Sequence, residues 1–224
     1  MHTPKHDIVV GVDFGTTASA IGYSSILLGS PYYYPRLINQ LDDKTRPKKI
    51  LSVLAYIEDN PNLQENQWGF PAQKEPNMIS WFKLFLDDDL EIEIDSWKAE
   101  VMGWVGSRGI MSLPRGRSLI DTISDYLGAL RAKIWDYLEG EFTNAKKSLE
   151  ISTIKFCFTI PGYWSTEARQ DMLVAIETAG FRLRECDDVC LLIEADAAIV
   201  FALSTLQDYA GTLPLKVCYT LISI

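Results

Sequence analysis

Histidine is nearly missing from this sequence: there are two, His2 and His6, both near the N-terminus. That scarcity argues against a Ser-His-Asp or Cys-His catalyst and against a His-rich metal centre. Cysteine is sparse as well, at four in 224 residues. Cys157, Cys186, Cys190 and Cys218 are scattered, three of them among apolar neighbours. They read as small buried hydrophobes of a reducing compartment. A metal site on Cys186 and Cys190 would need two more soft ligands, and none stands nearby. Positive charge is in deficit, with 21 Lys and Arg against 30 Asp and Glu, a net charge of −9. Binding to nucleic acid through phosphate neutralisation is therefore not expected. No Asn-x-Ser/Thr sequon occurs. No apolar run approaches the ~18 residues of a membrane span. The most apolar stretch, Cys190 to Leu206, is interrupted by Glu194 and Asp196. The N-terminal tail passes into Ile8-Val9-Val10 and meets Asp13 too soon for a signal peptide. The expected location is cytoplasmic or nuclear, with no membrane partner.

What is present is ordinary globular composition, 47% apolar and 23% charged. The length fits one domain, or a large domain with a smaller appendage. Ile8 to Phe14 is a Val-rich apolar run stopped by Gly15 and predicts a buried strand. Thr17 to Ile26, Arg36 to Asn39, Ile50 to Ile57 and Leu90 to Ile94 are further strand candidates. From Ser118 the period changes. Leu119, Ile123, Tyr126, Leu127, Leu130, Ile134, Tyr137 and Leu138 step by three and four, which predicts a helix of five to six turns. Lys155 to Ile160 reads as a strand ended by Pro161-Gly162. Ser165 or Thr166 as N-cap and Gly180 as stop define a helix from about Thr166 to Ala179. Cys190 to Ile193 is extended, and Glu194 to Leu206 is helical. Asn60 to Gln67 and Gly103 to Arg117 read as loops. The basic cluster Arg46 to Lys49 and the Asp87-Asp88-Asp89 run read as solvated charges. Trp81-Phe82-Lys83-Leu84-Phe85 reads as a packing patch. Strands followed by helices in this order indicate an α/β architecture.

The segment that carries chemistry is Gly11-Val12-Asp13-Phe14-Gly15-Thr16-Thr17. A strand delivers Asp13 to its C-terminal end. Gly15 lets backbone approach a ligand without a Cβ in the way. Thr16 and Thr17 offer hydroxyls and N–H groups that can surround phosphate oxygens. Asp13 beside them suits a hydrated Mg²⁺, which keeps waters and takes few protein ligands. The same residue types also make a plain β-hairpin turn, and composition alone leaves both readings open.

The string DFGTT between two strands resembles the first phosphate loop of the actin-like ATPase superfamily, which includes sugar kinases, actins and the 70-kDa heat-shock proteins. Thr159-Ile160-Pro161-Gly162-Tyr163-Trp164-Ser165, then Arg169-Gln170 and Ala179-Gly180-Phe181, looks like the chaperones' strand–proline–helix segment. Leu192-Ile193-Glu194 with Ala197-Ala198 looks like the segment that follows it. The three occur in family order, so the chain resembles a divergent 70-kDa heat-shock protein. The resemblance implies an α/β, ribonuclease-H-like lobe: a mixed sheet flanked by helices, with residues 7–40 and 118–215 as base and 41–117 as an inserted subdomain. It implies ATP or ADP with Mg²⁺ as cofactors, and client proteins or co-chaperones as partners reached through other regions.

Roles come with it, position by position. Asp13 and Glu194 would be catalytic and would hold Mg²⁺ through its waters. Gly15, Thr16 and Thr17 would contact phosphate. Pro161 and Arg169 would belong to the switch that senses nucleotide. The family's phosphate-approaching Lys is represented by Lys74, one residue late, with Gln73 at the family's place. Ala195 replaces a family Pro. Leu215 to Cys218 looks like the approach to a second phosphate loop, but Tyr219 stands where an acidic residue is expected, and the Gly-rich loop does not follow. The expectation is therefore a truncated lobe that does not hydrolyse ATP by itself and binds it weakly or not at all. A sugar-kinase-like phosphotransferase and a non-enzymatic interaction module are the alternatives.

Overall fold

The computed structural model describes residues 6–28, 36–38, 49–87 and 116–199. The predicted strand at Leu90 to Ile94 lies outside them, as do Asn39, Cys218 and most of the Gly103 to Arg117 loop. The described chain is a mixed α/β structure with a mixed sheet and helices packed against it.

The first strand, β1 (Ile8–Asp13), places Ile8, Val10 and Val12 in the core, with half-buried residues between them. This period of two, made by β-branched residues, fits a pleated strand. It pairs antiparallel with β2 (Ala18–Ser25), Asp13 facing Ala20. β2 pairs in turn with β3 (Arg36–Leu37) and, at its start, with β4 (Ile50–Leu51). The run Ile50 to Ile57 is not one strand. It divides at Ser52, and β5 (Val53–Ala55) joins a second antiparallel sheet with β6 (Gln67–Trp68) and β7 (Ile79–Ser80), in the order β6-β5-β7. The short helix α1 (Gly69–Ala72) and a 3₁₀ segment, Phe82–Leu86, accompany it. Ile50, Leu54, Tyr56, Ile79, Phe82 and Leu86 belong to the same core as β1.

The long helix α2 (Leu119–Asn144) buries Ile123, Tyr126, Leu127, Leu130, Ile134 and Leu138 of the stripe read from the sequence, with its Leu119 and Tyr137 half-buried against the core. It runs past Leu138 because Phe142 extends the stripe and Gly140 stays helical. Its start is a capping box: the Ser118 hydroxyl accepts from the Asp121 N–H, and the Asp121 carboxylate accepts from the Ser118 N–H at 2.8 Å.

β8 (Ile154–Ile160) lies parallel to β1 on one side and parallel to β9 (Asp188–Ile193) on the other. The main sheet runs β3-β2-β1-β8-β9. Between β8 and β9 comes α3 (Thr166–Thr178), capped by the Ser165 hydroxyl on the Ala168 N–H. It ends at Gly180, φ +87, with Phe181 N–H on Ile176 O and Gly180 N–H on Glu177 O. Both bonds are those of a Schellman stop, which needs the left-handed conformation at that glycine. Phe181 then seats edge-on against Phe156 and Phe158, each with centroids 4.9 Å away. Residues 194–199 are helical, as read from the sequence. No helix among the described residues is long and apolar enough to cross a membrane.

Burial expectations need correction at three residues. Cys186 is exposed rather than a buried hydrophobe, because it follows the turn after α3 instead of entering β9, and Cys190, on β9, is only half-buried. Asp87 is buried rather than solvated, since the 3₁₀ segment before it carries Phe82 and Leu86 into the core.

Candidate functional site

Three parallel strands, β1, β8 and β9, end side by side. Asp13 closes β1, Thr159 is the penultimate residue of β8, and Glu194 follows β9 directly. In open α/β sheets the carboxyl ends of parallel strands are where ligands bind, because the loops that follow are free to be polar. The Thr159 hydroxyl donates to Asp13 Oδ1 at 3.2 Å, across 146 residues of sequence. The ends of β1 and β9 are separated by β8 alone, two strand spacings or about 10 Å.

The turn from β1 to β2 is held tightly. A Cβ on Gly15 would come within 2.3 Å of the Ala18 carbonyl oxygen, so any side chain there would force the backbone to move. A buried relay of hydroxyls fixes the same turn from behind. Tyr126 OH donates to Ser19 Oγ at 3.1 Å, Ser19 and Ser52 hydroxyls meet at 3.1 Å, and Ser52 Oγ donates to the Gly15 carbonyl at 2.7 Å. The Ser52 N–H also donates to Thr17 O at 3.0 Å. Thr16 is half-buried and Thr17 exposed at the tip. The relay explains why the β4–β5 run breaks at Ser52: its side chain and N–H serve the turn.

Each carboxylate carries a lysine. Lys49 Nζ lies 3.5 Å from Asp13 Oδ2, both side chains partly open to water. Lys83 Nζ lies 2.9 Å from Glu194 Oε1. Lys83 is buried, and its ammonium sits 5.7 Å from the Phe14 ring centre and 5.4 Å from that of Trp164. A desolvated ammonium needs such company: an anion and aromatic faces together replace the lost water. Lys74 is exposed beyond α1, and among the described residues its ammonium bonds neither carboxylate.

Pro161 and Arg169 share one turn at the end of β8. Arg169 Nε donates to Trp164 O at 3.1 Å and its Nη2 to Gly162 O at 3.0 Å, while the Trp164 N–H reaches Pro161 O at 3.4 Å. The guanidinium therefore clamps the turn that places Trp164 beside Lys83. Gly162 packs under Ile193, where a Cβ would lie 3.2 Å from Cγ2.

Of the residues expected at the site, Asp13 and Glu194 lie at these strand ends and Gly15 in the adjoining turn, while Lys49, Lys83, Ser52 and Thr159, which bond them, were not among those expected. One signal was available for Lys83. A lysine inside Trp-Phe-Lys-Leu-Phe sits in an apolar run, and buried lysines are rare unless paired. Ser52 and Thr159 carry no such mark.

Among the described residues no group of three or more His, Cys, Asp or Glu is placed to hold a metal directly. The two carboxylates, each with a side chain 45% exposed, fit a cation held through its own waters. Mg²⁺ prefers that arrangement, with one or two carboxylates and the rest water or phosphate. The site's two ammonium groups, Lys49 and Lys83, are each paired with one of these carboxylates. No family model and no curated protein matches the chain.

Proposed function

We propose that this chain is the nucleotide-phosphate-binding lobe of a chaperone-type ATPase of the actin-like superfamily, with a ribonuclease-H-like base. The observation that carries the reading is the convergence of Asp13, Thr159 and Glu194 at the ends of three neighbouring parallel strands, beside the turn at Gly15. Asp13 and Glu194 would face the waters of Mg²⁺, and the Gly15-Thr16-Thr17 turn would meet phosphate oxygens. Bound Mg-nucleotide supplies the electrophilic phosphorus and its charge-neutralising ion. The residues of this chain orient it and compensate charge, which is most of what phosphoryl transfer asks of a protein. The clamped turn holding Pro161 and Arg169 supports the chaperone side of the superfamily, since it links the strand end to α3.

These residues meet the phosphate end of a nucleotide from one side, so the expected affinity is weak, on the order of 1 mM. Titration of the ¹⁵N-labelled chain with ADP and ATP, with and without Mg²⁺, tests the proposal by chemical-shift changes. Saturable, Mg²⁺-dependent changes at residues 13–17 and 194 are expected, and Asp13→Ala should abolish them. Identical responses in the wild type and in Asp13→Ala, or no response at these positions at millimolar nucleotide, would overturn the proposal.

A further inference from the structure

The sheet face turned away from the Phe156–Phe158–Phe181 cluster carries two thiols that the phosphate-site reading leaves unused. Cys157 lies in the middle of β8 and Cys190 in β9, directly opposed in the parallel register. Their sulfurs are 3.2 Å apart, in S–H···S contact. Opposed residues on neighbouring strands have backbones about 4.8 Å apart, within the roughly 4.4–6.8 Å between Cα atoms that a disulfide spans. The register therefore already brings the two backbones to bonding distance, and the sulfurs, 3.2 Å apart, have to approach to the roughly 2.05 Å of an S–S bond.

Burial and charge distinguish the two sulfurs. Cys157 is buried, whereas Cys190 is half-buried. The charged groups facing them lie one pair back on the same face: Lys155 opposite Asp188, with His6 Nε2 3.7 Å from the Asp188 carboxylate. The contact with Cys157 pulls the Cys190 thiol below its ordinary value, with the Lys155 charge adding to this, and the same contact together with burial pushes Cys157 up. As the less buried of the two sulfurs, Cys190 is the nucleophile of the pair. Cys186 is exposed and lies outside this register.

We propose that Cys157 and Cys190 form a redox pair that closes to an intrachain disulfide on reaction with hydrogen peroxide. The Cys190 thiolate attacks one peroxide oxygen; the S–O bond forms, the O–O bond breaks, and the hydroxide released takes up a proton to become water. Cys190 is then a sulfenic acid. The Cys157 sulfur attacks Cys190, the S–S bond forms, and the S–O bond breaks. The departing hydroxyl takes the Cys157 proton and leaves as the second water. Two thiols are oxidised and one peroxide is reduced to two waters. The bond lies two residues before Thr159 and four before Glu194, so it joins the two strands that present them.

The test treats the full chain with stoichiometric hydrogen peroxide, blocks remaining thiols without reductant, and maps the digested peptides by mass spectrometry. The expected product is one peptide pair linked through Cys157 and Cys190, lighter by two hydrogens than the separate peptides and released by dithiothreitol. It should form equally at high and low protein concentration, persist in Cys186→Ser and vanish in Cys190→Ser. A link through Cys186 or Cys218, Cys190 carried to sulfinic acid with Cys157 still alkylatable, or full alkylation of both thiols after peroxide would overturn the proposal. None of these outcomes depends on nucleotide binding.

Discussion

Removing the Glu194 carboxylate should be costly only while Lys83 remains. The Lys83 side chain is 5% exposed and its ammonium is 2.9 Å from Glu194 Oε1, while the Glu194 side chain is 45% exposed. Stripping one partner from a fully buried ion pair costs about 3–5 kcal/mol, and an exposed pair is worth about 0–1 kcal/mol. This pair is dry on the cation side and wet on the anion side, so the loss should fall between, at about 2 kcal/mol. The Phe14 and Trp164 rings hold part of the charge and keep the loss from reaching the buried limit. Lys83→Met removes the charge but keeps the stem's volume among those rings, so it should cost less than about 1.5 kcal/mol. In that background Glu194→Ala should cost at most about 0.5 kcal/mol, as ordinary surface changes do. Urea unfolding of the four proteins at neutral pH and low salt gives the coupling energy directly. An equal cost for Glu194→Ala in both backgrounds would show that the ammonium does not depend on this carboxylate.

Gly15→Ala forces a shift of backbone, because its Cβ would overlap the Ala18 carbonyl. It should destabilise by about 1–3 kcal/mol, and hydrogen exchange should rise at residues 14–18 relative to the rest of the sheet. Ser52→Ala removes the donor to the Gly15 carbonyl and the partner of Ser19 within a largely buried relay. A loss of about 1–3 kcal/mol is expected in thermal or urea unfolding, with Ser52→Thr recovering part of it. The Asp121 carboxyl is held below its ordinary value by the Ser118 N–H. Its contribution is therefore complete above the ordinary carboxylate pKa and is lost as pH falls through the depressed one. Asp121→Asn should flatten the acid limb of the stability profile and leave neutral-to-alkaline behaviour unchanged in shape; an acid limb identical to the wild type would count against the capping box.

Local patterns made much of the scaffold legible. The stripe from Leu119 to Leu138 reports which helix face is dry, whatever lies opposite it. Ser165 and Gly180 bound α3 because both act on backbone groups within a few residues. Short elements were not legible: β6, α1 and β7 contain two to four residues each, too few for a period to show. The run Ile50 to Ile57 looked continuous because hydrophobicity cannot reveal that Ser52 would be taken by a turn 37 residues away. The site divided in the same manner. Asp13 and Gly15 stood out because their chemistry is contained in seven consecutive residues. Lys83 was hidden because its meaning depends on a partner 111 residues along the chain.

The longer strands, the start of α2, both ends of α3, and the meeting of an acidic residue and a glycine at one turn are all legible in the sequence. Those are short-range properties of backbone, caps and periodic burial. That β8 lies between β1 and β9 is set by tertiary packing. That order brings Thr159 to Asp13, sets Glu194 at the same sheet end with Lys83 against it, and places Cys157 beside Cys190. Parallel pairing is specified by the packing of whole buried faces. Residues far apart in the chain become neighbours only once that packing has selected the order of the strands.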